Sequence, residues 1–152
     1  MDHKRQLSII FFWVLFLPVL LDAQVLSNVV QITTHPASDT EPAVSGNGKW
    51  LAFTSDRSGN RDIWIKKLPH GDVIQVTTNP SDDYQACWSP DGKWLVFVSH
   101  RRDALGDLWL LRIKKGRPNG TPIQLTSYLG VDCQPAVSPD NRSIVFVSDR
   151  EG

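Results

Sequence analysis

The eleven residues Ser89–Ser99, opening on Ser-Pro-Asp-Gly-Lys-Trp and closing on an apolar run, occur in three versions along the chain. The first is Ser45–Ser55 and the last Ser138–Ser148. A supersecondary unit that returns after 44 and then 49 residues restricts the chain to repeat architectures. Independent landmarks keep the same register. Gln31-Ile32-Thr33-Thr34 returns as Gln75-Val76-Thr77-Thr78 and as Gln124-Leu125-Thr126-Ser127, and Asp62-Ile63-Trp64 returns as Asp107-Leu108-Trp109. Between Gln31–Ser55 and Gln75–Ser99, 12 of 25 positions are identical without a gap, which excludes chance similarity. The extra length falls in Arg101–Gly106 and in the Gly- and Pro-rich Lys114–Pro122, where loops absorb it.

Each repeat reads as four short strands. Pro42–Ser45, Gln85–Ser89 and Gln134–Ser138 are the expected first strands. Ser89-Pro90-Asp91-Gly92 suits a type I turn, with Pro fixing φ at the second position and Gly at the fourth. Gly48 and Asn141 hold that fourth position in the other copies, and both residue types tolerate a left-handed backbone. Trp94–Ser99 is the second strand, Arg57-Ser58-Gly59-Asn60 the next turn, and Asp62–Leu68 or Asp107–Ile113 the third strand. Val73–Thr77 and Ile123–Thr126 are the fourth. Along Trp94–Val98 both alternating sets are apolar, so the sheet must be covered on both faces. No stretch of helical periodicity separates the strands, which argues against a parallel α/β sheet. The fold class expected is all-β: a β-propeller of four-stranded antiparallel blades, about two and a half of them present.

The patterns Gln-(Leu/Val/Ile)-Thr, Pro-Ala-(Val/Trp)-Ser-Pro-Asp-Gly-Lys, Ile-Val-Phe-Val-Ser-Asp-Arg and Asp-Ile-Trp closely resemble the WD40-like repeat of the TolB-type β-propeller family. The resemblance runs from about Gln31 to Gly152. It is specific for the repeat and weak for function, because the same blades serve many proteins. One departure stands out: the family's namesake carries an α/β domain before its propeller, whereas here the first blade follows almost directly on the leader. The chain is therefore read as TolB-like and not as TolB itself.

The organisation expected is a signal peptide at 1–23, a short lead-in at 24–30 and a partial propeller at 31–152, with repeats at 31–74, 75–123 and a truncated 124–152. Lys4 and Arg5 form a basic start, Leu7–Leu21 an apolar core too short for the roughly 20 residues of a spanning helix, and Leu21-Asp22-Ala23 an imperfect cleavage site. An uncleaved anchor is the alternative. Closed propellers hold about 4–8 blades, so the chain is expected to be an N-terminal fragment. A short chain that builds rings by oligomerising is disfavoured by the edge it would expose. Val29–Thr33 is expected as the outermost strand of a final blade.

Without residues 1–23 the chain keeps as many basic as acidic side chains, leaving no electrostatic reason to bind nucleic acid or an anionic membrane. Cys87 and Cys133 are the only cysteines and occupy non-equivalent repeat positions. Export permits a disulfide, but first strands of neighbouring blades sit too far apart for an easy bridge, so Cys87 is read as a small buried hydrophobe.

No catalytic motif assembles: there is no Gly-x-Ser-x-Gly, no His-Glu-x-x-His, no Cys-x-x-Cys and no phosphate-cradling loop. No catalytic, cofactor-binding or metal-ligating residue is assigned, and no cofactor is expected. His3, His35, His70 and His100 lack metal-ligand spacing and read as solvated. Asp56–Asp62 faintly resembles a calcium loop, but its glycine falls at the fourth position and turn formation explains the same residues. Asp62 and Asp107 recur, and Asp83 and Asp132 align with Asp39. Recurrence points to structural acceptors of backbone N–H groups, the alternative being an acidic ring lining a channel. Trp50, Trp64, Trp88, Trp94 and Trp109 are read as inter-blade core, with ligand stacking as the alternative. Asn141-Arg142-Ser143 fits a glycosylation sequon within a turn.

The resemblance implies an exported, non-catalytic scaffold that binds proteins in the periplasm or cell envelope, with no nucleic-acid partner and no stable membrane insertion once the leader is removed. Two enzymatic alternatives place the chemistry downstream of residue 152. One is the N-terminal propeller of a prolyl-oligopeptidase-type serine peptidase, and the other a propeller polysaccharide lyase.

Overall fold

A computed structural model describes residues 29–150. The expected signal peptide lies outside them. Contacts divide the chain into a unit Met1–Gln31, whose described residues hold no regular structure, and a unit Ile32–Gly152 that contains every strand. Among the described residues there is no helix, and so none long and apolar enough to cross a membrane.

The first sheet is β1 (Asp39–Val44), β2 (Trp50–Ser55), β3 (Asp62–Lys67) and β4 (Val73–Gln75), paired antiparallel in chain order. The second repeats it with β5 (Asp83–Trp88), β6 (Trp94–Ser99), β7 (Asp107–Lys114) and β9 (Ile123–Gln124). An added strand β8 (Arg117–Pro118) turns back on the end of β7. β10 (Asp132–Val137) and β11 (Ile144–Ser148) form a third sheet of two strands. This is the all-β, blade-by-blade architecture that the repeats predict.

Alternation along β6 assigns its two faces. Leu95 and Phe97 join Ala52, Ile63, Ile65, Val76, Trp88, Leu111 and Ile113 in a buried cluster between the first and second sheets. Val96 and Val98 join Leu108 in a second cluster, against Tyr84, Cys87, Cys133, Val137, Ile144 and Phe146, between the second and third sheets. Each of those four β6 side chains is essentially inaccessible, so at about 25 cal/mol per Å² of apolar surface both faces of the strand contribute to the stability of the repeat. The turn before β6 forms as expected: Gly92 N–H donates to the Ser89 carbonyl at 2.9 Å, and Gly92 has φ +68°.

Several boundaries differ from the sequence reading. The first strands begin two or three residues early, at Asp39, Asp83 and Asp132, because each contains a bulge. Glu41, Gln85 and Gln134 sit in that bulge with φ near +51° to +52°, and the extra residue breaks the two-residue alternation. The turn after β2 is Asp56–Gly59, closed by Gly59 N–H on the Asp56 carbonyl, one residue earlier than expected. β4 and β9 stop at Gln75 and Gln124, where the following threonines turn their hydroxyls onto the third strands. The Gly- and Pro-rich stretch is not all loop: Lys115 and Gly116 both take positive φ and make a two-residue hairpin between β7 and β8. Val29–Thr33 carries no strand ladder, and a lone extended segment has none to join.

Candidate functional site

The polar residues that recur in the repeats are consumed in two clamps. The first joins the start of each sheet's first strand to the turn after its second. Arg57 Nη2 donates to both Asp39 oxygens at 2.6 and 2.8 Å, and Arg101 Nη2 to both Asp83 oxygens at 3.0 and 2.8 Å. Arg150 Nη2 donates to Asp132 through Oδ2 alone, and Asp132 Oδ1 is buried without a partner among the described residues. Each arginine also donates its Nε–H to the serine two residues before it, Ser55, Ser99 or Ser148, at 2.7–2.9 Å. Its flat face lies over Phe53 and Trp64 in the first sheet and over Phe97 and Trp109 in the second. In the third it lies over Phe146 and Tyr128. Stacking plus a two-pronged donor pattern is why arginine, not lysine, occupies the position.

Electrostatics grade the three copies. Burial works to raise Asp39 and Asp132, but hydrogen bonds from Arg57 with Ser55 and Thr33, and from Ser148 with Arg150 and Thr126, carry both carboxyls below their ordinary range. Asp83 is wholly enclosed, and there burial outweighs the bonds from Ser99 and Arg101 and leaves the carboxyl above it.

The second clamp holds Asp62 and Asp107. Gln75 Nε2 and Thr77 Oγ1 each donate to Asp62 at 3.0 Å, and Ser58 Oγ donates at 2.6 Å. Thr77 Oγ1 also accepts the Ile63 N–H at 2.9 Å. Gln124 and Thr126 repeat the arrangement on Asp107 and Leu108. The recurrent Gln-x-Thr is thereby explained. The aspartates are structural acceptors, as expected, but from side chains instead of the backbone N–H groups anticipated. Burial, with repulsion from Asp103, raises the Asp107 carboxyl.

Bonds between sheets run along the first strands, where neighbouring blades converge. Glu41 Oε2 accepts the Gln85 N–H at 2.9 Å and the Thr54 hydroxyl at 2.7 Å, and Gln85 Oε1 accepts the Gln134 N–H at 3.0 Å. Trp88 Nε1 donates to the Ala43 carbonyl at 3.1 Å. An exposed staple adds to the first junction: Arg61 grips Asp82 at 2.9–3.1 Å and stacks on Tyr84 at 4.3 Å.

The remaining singled-out residues fall outside any shared site. His35 Nδ1 accepts the Ala37 N–H, His70 is exposed, and His100 Nε2 lies 3.0 Å from the Tyr84 hydroxyl. Within Asp56–Asp62 the side chains are engaged in holding turns and strands: Asp56 accepts the Ser38 N–H, Asp62 accepts from Ser58, Gln75 and Thr77, and Asn60 Nδ2 donates to the carbonyls of Asn79 and Ser81. Among the described residues no three His, Cys, Asp or Glu side chains come together as metal ligands. Cys87 and Cys133 are unbonded, both half-buried against the second cluster, and burial raises the Cys87 thiol. Trp50, Trp88 and Trp109 pack in the first cluster, and Trp64 lies under Arg57. Trp94 faces a cavity of about 220 Å³ with Leu110, Ile144 and Arg142. At the preceding junction the corresponding indole, Trp50, is covered by Gly116.

Stacked antiparallel sheets, repeated clamps and bulged first strands define a class, the β-propellers. The chain belongs to the family of the TolB beta propeller domain, whose model matches residues 20–107. Over 46 residues it is 46% identical to the Tol-Pal system protein TolB of Bordetella pertussis, and equally to that of Bordetella bronchiseptica. Those alignments cover 30% of this chain, which spans 10% of the length of those relatives. A structure described as a TolB from Agrobacterium tumefaciens superposes with TM-score 0.65 at 25% identity, over 76% of this chain and 39% of that one. TolB from Acinetobacter baumannii superposes with TM-score 0.63 at 25% identity, over 76% and 28%.

Proposed function

We propose that this chain is an exported, non-catalytic propeller segment that presents a rigid docking surface to proteins of the bacterial cell envelope. The observation that carries the reading is the match to proteins named for the Tol-Pal system. The geometry supports it, because among the described residues the recurrent carboxylates and arginines are engaged in holding sheets. A balanced charge favours contacts made by shape and hydrogen bonding over long-range attraction. Residues 1–23 supply the export signal in this reading, and 31–152 the docking body. The test is expression in a Gram-negative host with a C-terminal tag, followed by fractionation and in-cell cross-linking. Recovery in the periplasm, cross-linked to Tol-Pal components, is expected. Retention in the cytoplasm, or periplasmic protein with no such cross-links, would overturn it.

A further inference from the structure

The charge balance of the whole chain conceals a division between the two ends of its sheets. Antiparallel order puts the turns after β1, β3, β5, β7 and β10 at one end, and the turns after β2 and β6 with the inter-sheet linkers at the other. Of the fourteen Lys and Arg side chains in residues 29–150, nine stand at the first end, all six lysines among them. Only three of the thirteen Asp and Glu side chains do: Asp72, Asp91 and Asp140. The opposite end holds its carboxylates in the clamps and in caps, as where Asp103 accepts the Leu105 and Gly106 N–H groups.

Four lysine-end cations meet at the junction of the first and second sheets. Gly116 lies against the Trp50 indole, so the tip of the β7–β8 hairpin, with Lys115 and Arg117 flanking that glycine, sits over the first sheet. Lys49 precedes Trp50 in the chain, and Lys67 stands opposite it in the ladder. All four cations are exposed, and none has an ion pair or a side-chain hydrogen bond among the described residues. The local acids do not quench them, since Asp91 is taken up by Lys93 and Asp140 by its own turn.

We propose that this basic junction is a docking site for an acidic segment of a partner protein, one in which Asp or Glu side chains recur along the chain. Complementary charge carries the assignment. Three of the four cations are lysines, compact charges that take carboxylates from several directions, whereas phosphate recognition favours arginine forks. A bilayer surface is a poorer match, because Trp50, the apolar residue at the centre, is covered by Gly116 and not free to insert. A second copy of this chain is also a poorer match, because the carboxylates of its opposite end already accept bonds. The inference concerns one face of the fold and stands whether or not the envelope role holds.

The experiment titrates the intact protein into a fluorescent synthetic peptide of alternating Glu and Ser, with a Gln-for-Glu peptide as control, and maps the contact by amide hydrogen exchange. Binding of the Glu peptide alone is expected, with protection at the β7–β8 hairpin, and affinity should fall several-fold as salt rises from about 0.01 to about 0.15 M. Lys67→Glu with Lys115→Glu should weaken it about tenfold, while Arg102→Glu at the opposite end should not. Lys67→Gln with Lys115→Gln should act in the same direction and keeps the test decisive if the reversed protein does not fold. Equal binding of the Gln peptide, or equal loss in Arg102→Glu, overturns the proposal. So does binding of anionic phospholipid vesicles or a DNA duplex in place of the peptide, or self-association that the lysine substitutions abolish.

Discussion

Arg101 Nη2 stands 3.0 and 2.8 Å from the two oxygens of Asp83, a carboxylate with no solvent exposure that lies 18 positions earlier in the chain. Removing the cation strands a buried charge, so Arg101→Ala should cost about 3–5 kcal/mol of unfolding free energy in urea titration. Arg101→Lys keeps the charge but loses the fork and the stacking on Trp109, and should recover only part of it. A loss within about 0.5 kcal/mol, as for an ordinary surface change, would contradict the clamp.

Acid should act in two stages. Asp83 and Asp107 have carboxyls raised above 3.8, chiefly by burial, so they take up protons more readily folded than unfolded. Their contribution to stability grows as pH falls through the interval between the raised value and 3.8. Asp39, Asp82 and Asp132 are lowered, so what they contribute is present above 3.8 and lost only as pH falls below it, through their folded values. Urea midpoints should therefore hold or rise on approach to about pH 4 and drop beneath it. In Asp83→Asn the rise should shrink.

Thr77 bonds two partners at once, accepting from Ile63 N–H and donating to Asp62. Thr77→Val keeps the shape but orphans the Ile63 N–H and leaves Asp62 with only its Gln75 and Ser58 donors, at an expected cost of about 1–3 kcal/mol. Thr77→Ser should lie near the parent protein in the same titration.

Gly116 has φ +73°, and a Cβ there would overlap the Trp50 indole. Gly116→Ala should lose about 1–3 kcal/mol through crowding, beyond the strain of the backbone alone. Gly92 has a similar φ with open space around it, so Gly92→Ala should cost only about 1–2 kcal/mol. Equal losses at the two sites would rule out the contact.

Glu41→Gln offers the converse, a substitution expected to be mild. Gln85 already makes the same acceptor bond to the following sheet through an amide oxygen. A change within about 1 kcal/mol is expected for the glutamine, against about 1–2 kcal/mol for Glu41→Ala.

How much of this was legible depended on whether a signal was local. Trp94–Ser99 matched its predicted bounds because a turn motif fixes one end and alternation the rest. Glu41, Gln85 and Gln134 misled because a left-handed residue inside a strand leaves no mark on an amphipathic pattern. Lys115 hid a hairpin, since lysine is not an expected residue for positive φ. The clamps were half visible. Recurrence marked the aspartates, but their partners sit across the sheet. The signal that would have paired them is the constant separation of 18 between Asp39 and Arg57, Asp83 and Arg101, and Asp132 and Arg150.

That separation keeps every buried ion pair of this kind inside one repeat, while the bonds that pass between first strands use neutral amides, carbonyls or a single glutamate. Each module thus arrives already neutralised. Duplicating or deleting one during evolution breaks no buried clamp at the seam, where only the exposed Arg61–Asp82 pair and the Glu41 carboxylate carry charge across, so arrays of this sequence can change copy number with few changes to their neighbours.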